Sequence, residues 1–97
     1  MKLTKRQAER LANIFSSLGS SKNLKILSEI PINVNDLSID LTPMPLWRRI
    51  NNLENQGLLR KEKATNPRAK AGFVYKLIHT EKAQEIMRLI EKFKEAL

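Results

Sequence analysis

Met44, Arg48, Asn51, Asn52 and Asn55 recur at a helical spacing that gathers them on one side, with Leu46, Ile50 and Leu53 on the other. An ordinary surface helix would show mixed Glu and Lys on its outer side. Here a guanidinium offers a planar fork of donors, and each amide sets a donor beside an acceptor. That is the chemistry that matches the edges of nucleic-acid bases. Trp47 and Arg49 fall on the two flanks of the same helix. Thr42 followed by Pro43 reads as an N-cap with proline at the first helical position, and Gly57 as the stop.

The charge distribution points the same way. Residues 42–79 hold eight basic and two acidic side chains, net +6, whereas 1–41 hold six and four and 80–97 hold four of each. A polyanion is the natural partner of so concentrated a charge, bound by neutralisation and counterion release. For any single lysine a solvated surface charge is the simpler account, and the clustering carries the argument. The balanced last segment does not supply the basic amphipathic helix that a membrane surface would need.

Composition narrows the rest. With 97 residues, 41% of them hydrophobic and 29% charged, the chain makes one globular domain, 1–97. No apolar run approaches the ~20 residues of a membrane span, and the start of the chain has no apolar signal segment. There is no cysteine, which excludes disulfides and thiolate metal sites. No carboxylate pair shares a face and no glycine-rich loop could cradle a phosphate, so no enzyme, cofactor or metal is expected. The expectation is a soluble cytoplasmic, nucleoid-associated protein.

The elements that must position the polar helix follow in order. Thr4 and Gln7 form a capping box ahead of Ala8, Leu11, Ala12, Phe15 and Leu18, and Gly19 ends that helix. Ser20 or Ser21 caps a short second helix carrying Leu24, Ile26, Leu27 and Ile30, closed by Pro31. Asn33 and Asp36 open an expected third helix with Val34, Leu37 and Leu41 on one stripe. That helix and the polar one would make a helix-turn-helix. Residues 58–64 and 73–78 read as two strands of a hairpin, joined by a 65–72 loop that carries Arg68 and Lys70 and no acid. Thr80 caps a long last helix with Ala83, Ile86, Ile90, Phe93 and Leu97 spaced 3-4-3-4, widened by Met87 and Leu89.

The order of these elements is that of a winged helix-turn-helix, and several stretches resemble the arsenical-resistance-repressor (ArsR-type) domain. Leu18-Gly19 leading to Leu24-Lys25-Ile26-Leu27 looks like its start, and Asn35-Asp36-Leu37 to Leu41 like its third helix. Ile50-Asn51-Asn52-Leu53-Glu54-Asn55-Gln56-Gly57-Leu58-Leu59 resembles its recognition helix and exit. Tyr75-Lys76-Leu77 with Thr80-Glu81-Lys82 is similar to the wing exit shared with multiple-antibiotic-resistance-type and PadR-type repressors. Two departures stand out. Metal-sensing members carry paired cysteines where this chain has Asp36-Leu37-Ser38-Ile39-Asp40, and its one histidine, His79, reads as structural or solvated. Pro43-Met44-Pro45-Leu46-Trp47 replaces the small polar residues usual ahead of the recognition helix.

The fold expected is mainly α (α+β): a winged helix-turn-helix with a two-stranded wing and a long C-terminal helix, core and wing in 3–79 and a dimerisation helix in 80–97. The function expected is sequence-preferring binding of double-stranded DNA by a small transcription regulator. Arg48, Asn51 and Asn55 would face base edges, with Met44 and Trp47 offering apolar contacts to thymine methyls. Trp47 could equally pack at the core edge. Arg49, Lys61 and Lys63 would reach phosphates, and Arg68 and Lys70 the backbone or minor groove. Ala83, Ile86, Ile90, Phe93 and Leu97 would hold a homodimer, and no small-molecule effector can be inferred. The rival readings are a winged helix used for protein or RNA contacts and a low-specificity architectural DNA binder.

Overall fold

The computed structural model describes residues 1–97. Helix α1 spans Lys5–Leu18 and starts from the expected capping box: Gln7 N donates to Thr4 Oγ1 at 3.1 Å and Thr4 N to Gln7 Oε1 at 3.0 Å. Helix α2 spans Ser21–Glu29 and is capped by Ser20, whose Oγ accepts from Asn23 N. Helix α3, Pro43–Asn55, is the polar helix of the sequence. Two strands follow, β2 at Leu59–Thr65 and β3 at Phe73–His79, and helix α4, Glu81–Glu95, closes the chain with Thr80 as its cap. No helix is long and apolar enough to cross a membrane.

The wing gains a strand that the residue pattern does not announce. Ile32–Asn33, here β1, pairs antiparallel with β3 (Ile32 with Leu77, Asn33 with Lys76), giving a three-stranded sheet of order β1-β3-β2. Two residues are too few to show alternation, so only the partner strand reveals them. β2 and β3 pair from Leu59–His79 at the base to Thr65–Phe73 at the tip.

The expected third helix is corrected. Only Val34–Asp36 turns, as one 3₁₀ turn, and Leu37 is already extended at φ −63°, ψ 129°. Three forces oppose a helix over 37–42. Ser38, Asp40 and Thr42 have low helix propensity and Ile39 is β-branched. Pro43 bars its predecessor from the helical region. Glu29 Oε1, at the end of α2, accepts from Ser38 N at 2.8 Å and from Ser38 Oγ at 2.7 Å, so a helical backbone would forfeit both bonds. Val34 is buried as expected, and Leu37 and Ile39 pack against the core from an extended backbone. The apolar residues thus reach their destination without the helix.

The core is a single cluster: Ile26 and Leu27 from α2, Ile30 just after it, Val34 from the 3₁₀ turn, Ile50 and Leu53 from α3, and Leu58, Leu59, Leu77 and Ala83. Ile50 and Leu53 are fully buried, as their stripe requires, and truncating either to alanine costs about 2–5 kcal/mol. His79 is structural: its Nε2 lies 2.7 Å from the Leu27 carbonyl, which can only accept, so Nε2 carries the proton. α1 contributes no buried residue at all. The radius of gyration, 14.9 Å, exceeds the about 13 Å of a compact chain this long. Its longest dimension is 51 Å.

Candidate nucleic-acid interface

The buried stripe of α3 sets the orientation of everything on its outer side. With Ile50 and Leu53 in the core and Leu46 packed against it, Met44, Arg48, Asn51, Asn52 and Asn55 are all exposed. Four of them share one open cleft with Pro43 and Trp47: Met44, Arg48, Asn51 and Asn52. Pro43, N1 of the helix, has no N–H to leave unsatisfied, so it forms one wall at no hydrogen-bonding cost. Asn55 does not join them. It lies one turn on, in a polar cleft with Arg10, Asn13, Gln56 and Lys82 between α1 and the start of α4.

Trp47 packs and lines the cleft at once. Its ring meets Tyr75 edge-on at 5.5 Å between centroids, and Tyr75 meets Phe73 the same way at 5.4 Å. The three aromatics join α3 to the wing, because alternate residues of β3 point to one face. That alternation was visible in the sequence, but the contact between Trp47 and the wing was not.

The basic residues divide into two groups. Arg49, expected to reach a phosphate, is instead tied inward: Nη1 donates to Ser20 Oγ at 2.9 Å and to Asn23 Oδ1 at 3.2 Å. Asn23 is buried and its Nδ2 donates to the Ser17 carbonyl, so Arg49 fastens α3 to the junction of α1 and α2. Lys61 is likewise engaged. Its Nζ donates to Asn51 Oδ1 at 3.0 Å, pairs with Glu54 at 3.2 Å and lies 5.7 Å from the Trp47 ring centre. Arg60 pairs with Glu62 at 3.6 Å.

Those two pairs use both acids of residues 42–79. Arg48, Lys63, Arg68, Lys70 and Lys76 carry no ion pair and are exposed. Lys63 Nζ stands 4.6 Å above the Phe73 ring centre, which leaves its charge facing out. At the wing tip Arg68 N bonds Asn66 Oδ1, Asn66 N bonds the Gly72 carbonyl, and Gly72 takes φ +77°, which suits only glycine. Arg68 and Lys70 therefore project from an ordered turn.

On the opposite side of the domain the arrangement is apolar. Leu11, Ile14, Phe15 and Leu18 of α1 and Ile86, Leu89, Ile90 and Phe93 of α4 line a groove with no polar residue. Phe15 is 65% exposed, Leu89 57% and Phe93 76%. One member of the expected dimerisation seam does not belong to this surface. Ala83 is buried in its own domain's core, and Ile86 is half-buried against that core while also lining the groove. The seam was read as one stripe, whereas α4 packs on its own domain through Ala83, Ile86 and Met87 and turns its later apolar residues to the groove.

The end of α3 and the start of α4 are joined by one hydroxyl. Thr80 Oγ1 donates to the Gly57 carbonyl at 2.6 Å and accepts from Ala83 N at 3.1 Å. Gly57, just beyond α3, has φ +75°, the left-handed position that ends a helix.

No protein-family model and no curated protein matches the sequence. Two solved structures are similar in fold. HlyU from Vibrio cholerae aligns over 93% of this chain and 97% of its own, with 16% identity and a TM-score of 0.70. An ArsR family transcriptional regulator aligns over 99% of this chain and 95% of its own, with 22% identity and a TM-score of 0.62. The winged-helix fold, and the ArsR-type resemblance at the level of fold, are thereby established.

Proposed function

We propose that the protein is a double-stranded DNA-binding transcription regulator that reads sequence with α3. The observation that carries this reading is the cleft of Met44, Arg48, Asn51 and Asn52, beside a wing whose Lys63, Arg68 and Lys70 make no ion pair. A helix of this width enters the major groove, where Arg48 pairs with guanine and Met44 meets thymine methyls. Arg68, Lys70 and Lys63 lie along the wing and would engage phosphates or the adjacent minor groove, whereas Lys76 lies on the other face of β3, opposite Glu62. Arg49 acts by fixing α3 rather than by touching DNA.

The protein would act as a two-fold homodimer joined through α1 and α4. Their shared groove is apolar throughout, which a monomer in water would leave exposed. Leu11, Ile14, Phe15, Ile86, Leu89, Ile90, Phe93 and Leu97 supply the surface. A two-fold pair sets two copies of α3 about one DNA turn, roughly 34 Å, apart and calls for a pseudo-palindromic site.

The test is binding to mixed-sequence duplexes across a salt series, followed by selection from a random duplex pool. Three engaged phosphates per protomer, at Lys63, Arg68 and Lys70, predict a log–log slope of about −2.7. A salt-insensitive interaction, or none at micromolar protein, sinks the reading in favour of a protein-contact module. A steep slope without any selected sequence favours an architectural binder.

A further inference from the structure

Resting on the DNA-binding reading, we infer that Arg10, Asn13, Asn55, Gln56 and Lys82 form a phosphate site that grips the DNA backbone at the end of α3 remote from the wing tip. The sequence sets Asn55 with the base-reading residues, whereas the fold places it in a separate cleft. Arg10 and Asn13 of α1, Gln56 just beyond α3 and Lys82 in the first turn of α4 line that cleft with it. Ile14 is its one apolar residue, and no acid lines it. Glu54, next to Asn55 in the chain, is paired with Lys61.

What marks this cleft is how little its polar groups do for one another. Elsewhere cations find partners within the chain: Arg49 bonds Ser20 and Asn23, and Lys61 bonds Asn51 and Glu54. Arg10 and Lys82 make no ion pair. The single side-chain hydrogen bond among the five residues runs from Lys82 Nζ to the Gln56 carbonyl, at 3.4 Å. A guanidinium fork, an ammonium and three amide groups are thus left with free donors around one opening, and a phosphate is the acceptor that matches them in charge and in number of oxygens. The feature that opposes an anion is the end of α3, whose last carbonyls carry partial negative charge. Lys82 offsets it by standing over the Gln56 carbonyl, and Gly57 leaves the room, since a Cβ there would lie 3.2 Å from Lys82 Nζ.

The position suits the second strand of a duplex. Tyr75 meets Trp47 in the first half of α3, and Lys61 meets Asn51 and Glu54 further on. The wing therefore runs back along the helix, with its tip toward the helix start. Lys63, Arg68 and Lys70 lie toward one end of α3 and the cleft lies at the other. From Pro43 to Asn55 the helix is about 18 Å long at 1.5 Å per residue, against a major groove about 12 Å wide. Inclined across the groove, a helix of that length brings its two ends to the two phosphate strands that border it. The wing grips one strand and the cleft the other. Arg10 and Lys82 fall outside residues 42–79, so the concentration of charge along the sequence does not include them.

A salt series on a selected and a scrambled duplex, run on the wild type and on the double variant Arg10→Ala with Lys82→Ala, tests this. Circular dichroism and sedimentation check that fold and assembly are unchanged. One phosphate added to the three at the wing steepens the wild-type log–log slope from about −2.7 to about −3.6. The double variant should return the slope to about −2.7, weaken both duplexes alike and keep the selected sequence. Arg10→Lys with Lys82→Arg, which retains both charges, should keep the wild-type slope. Ethylation of single phosphates should identify one whose blockage hinders the wild type and not the double variant. It should lie on the opposite strand from those that Arg68→Ala and Lys70→Ala make insensitive. An unchanged slope, the absence of such a phosphate or a lost base preference overturns the inference and leaves DNA recognition standing. So does binding of inorganic phosphate to the DNA-free protein that the double variant loses with no change of slope, which assigns the cleft to a free phosphate. If the double variant does not fold, Lys82→Ala alone and its ethylation pattern decide. A wild-type protein that binds no duplex removes the DNA reading and this inference with it.

Discussion

Trp47 and Phe93 are aromatic side chains on the flanks of two amphipathic helices, and their surroundings differ completely. Trp47 is half-buried, met edge-on by Tyr75 and overlain by Lys61. Phe93 is 76% exposed in a groove with no polar residue. Around Trp47 the chain satisfies its own groups: Lys61 finds Glu54 and Asn51, Arg49 finds Ser20 and Asn23, and the cations that remain point outward. Around Phe93 the apolar groups of α1 and α4 meet one another only in part. A surface finished in its polar bonds and rich in unpaired charge suits a charged ligand that arrives ready-made. An unfinished apolar surface suits another copy of itself.

The sharpest way to break the contrast is on the apolar side. Ile90→Glu sets a carboxylate into the groove, and a two-fold contact repeats the fault on both protomers. Dimerisation should weaken by at least about 3 kcal/mol, more than a hundredfold in Kd, while the monomer stays folded. Sedimentation at micromolar concentration would read this. A wild-type monomer, or a dimer that Ile90→Glu leaves intact, would place the interface elsewhere.

On the polar side, two substitutions separate base reading from phosphate neutralisation. Arg48→Ala should lose about 1–3 kcal/mol of discrimination between selected and scrambled duplexes. Arg68→Ala should weaken both duplexes alike and reduce the salt slope by about 0.9. Equal losses on both duplexes for Arg48→Ala would mean that α3 does not read bases.

The smallest effect concerns how α3 is approached. The two bonds from Ser38, backbone first and then side chain, hold the Glu29 carboxyl below its ordinary value of 4.5, with a lesser contribution from Lys25. A carboxylate with a depressed folded pKa adds stability that is present above the unfolded value and lost as pH falls through the folded one. Stability should therefore drop more below about pH 4.5 for the wild type than for Glu29→Gln, which has no charge to lose. Denaturant midpoints at pH 3 and pH 7 would measure it, and parallel midpoints for the two proteins would remove Glu29 from the account.

Much of this was legible beforehand, for reasons that differ by element. α1, α2, α3 and α4 announce themselves through caps and 3-4 spacing, and the wing through alternation, because those signals are local. The outer face of α3 was legible because a buried stripe dictates what lies opposite it. The segment 37–42 misled because Val34, Leu37 and Leu41 imitate a helical period while Glu29, outside that window, supplies bonds that favour an extended chain. Arg49 and Lys61 misled for a related reason. A cation's partners come from distant residues, Ser20 and Asn23 for one and Asn51 and Glu54 for the other, so free and committed charges look the same in a sequence. Ala83 shows the limit of spacing alone, since a continuous stripe can change partners within one turn.

The Thr80 hydroxyl, bonded at once to the Gly57 carbonyl and to the first turn of α4, makes the last helix a lever whose fulcrum sits at the tail of α3. At 1.5 Å per residue α4 is about 22 Å long, so a 2 Å swing of its far end is a rotation of about 5° and moves atoms 3 Å from the fulcrum by about 0.3 Å. A slide of α4 along its axis has no such reduction and reaches Gly57 undiminished. In the proposed dimer, drift in the sequence around Phe93 and Leu97 would thus retune how two copies meet with little disturbance of α3. The same drift at Ala83 or Ile86 would be felt there in full.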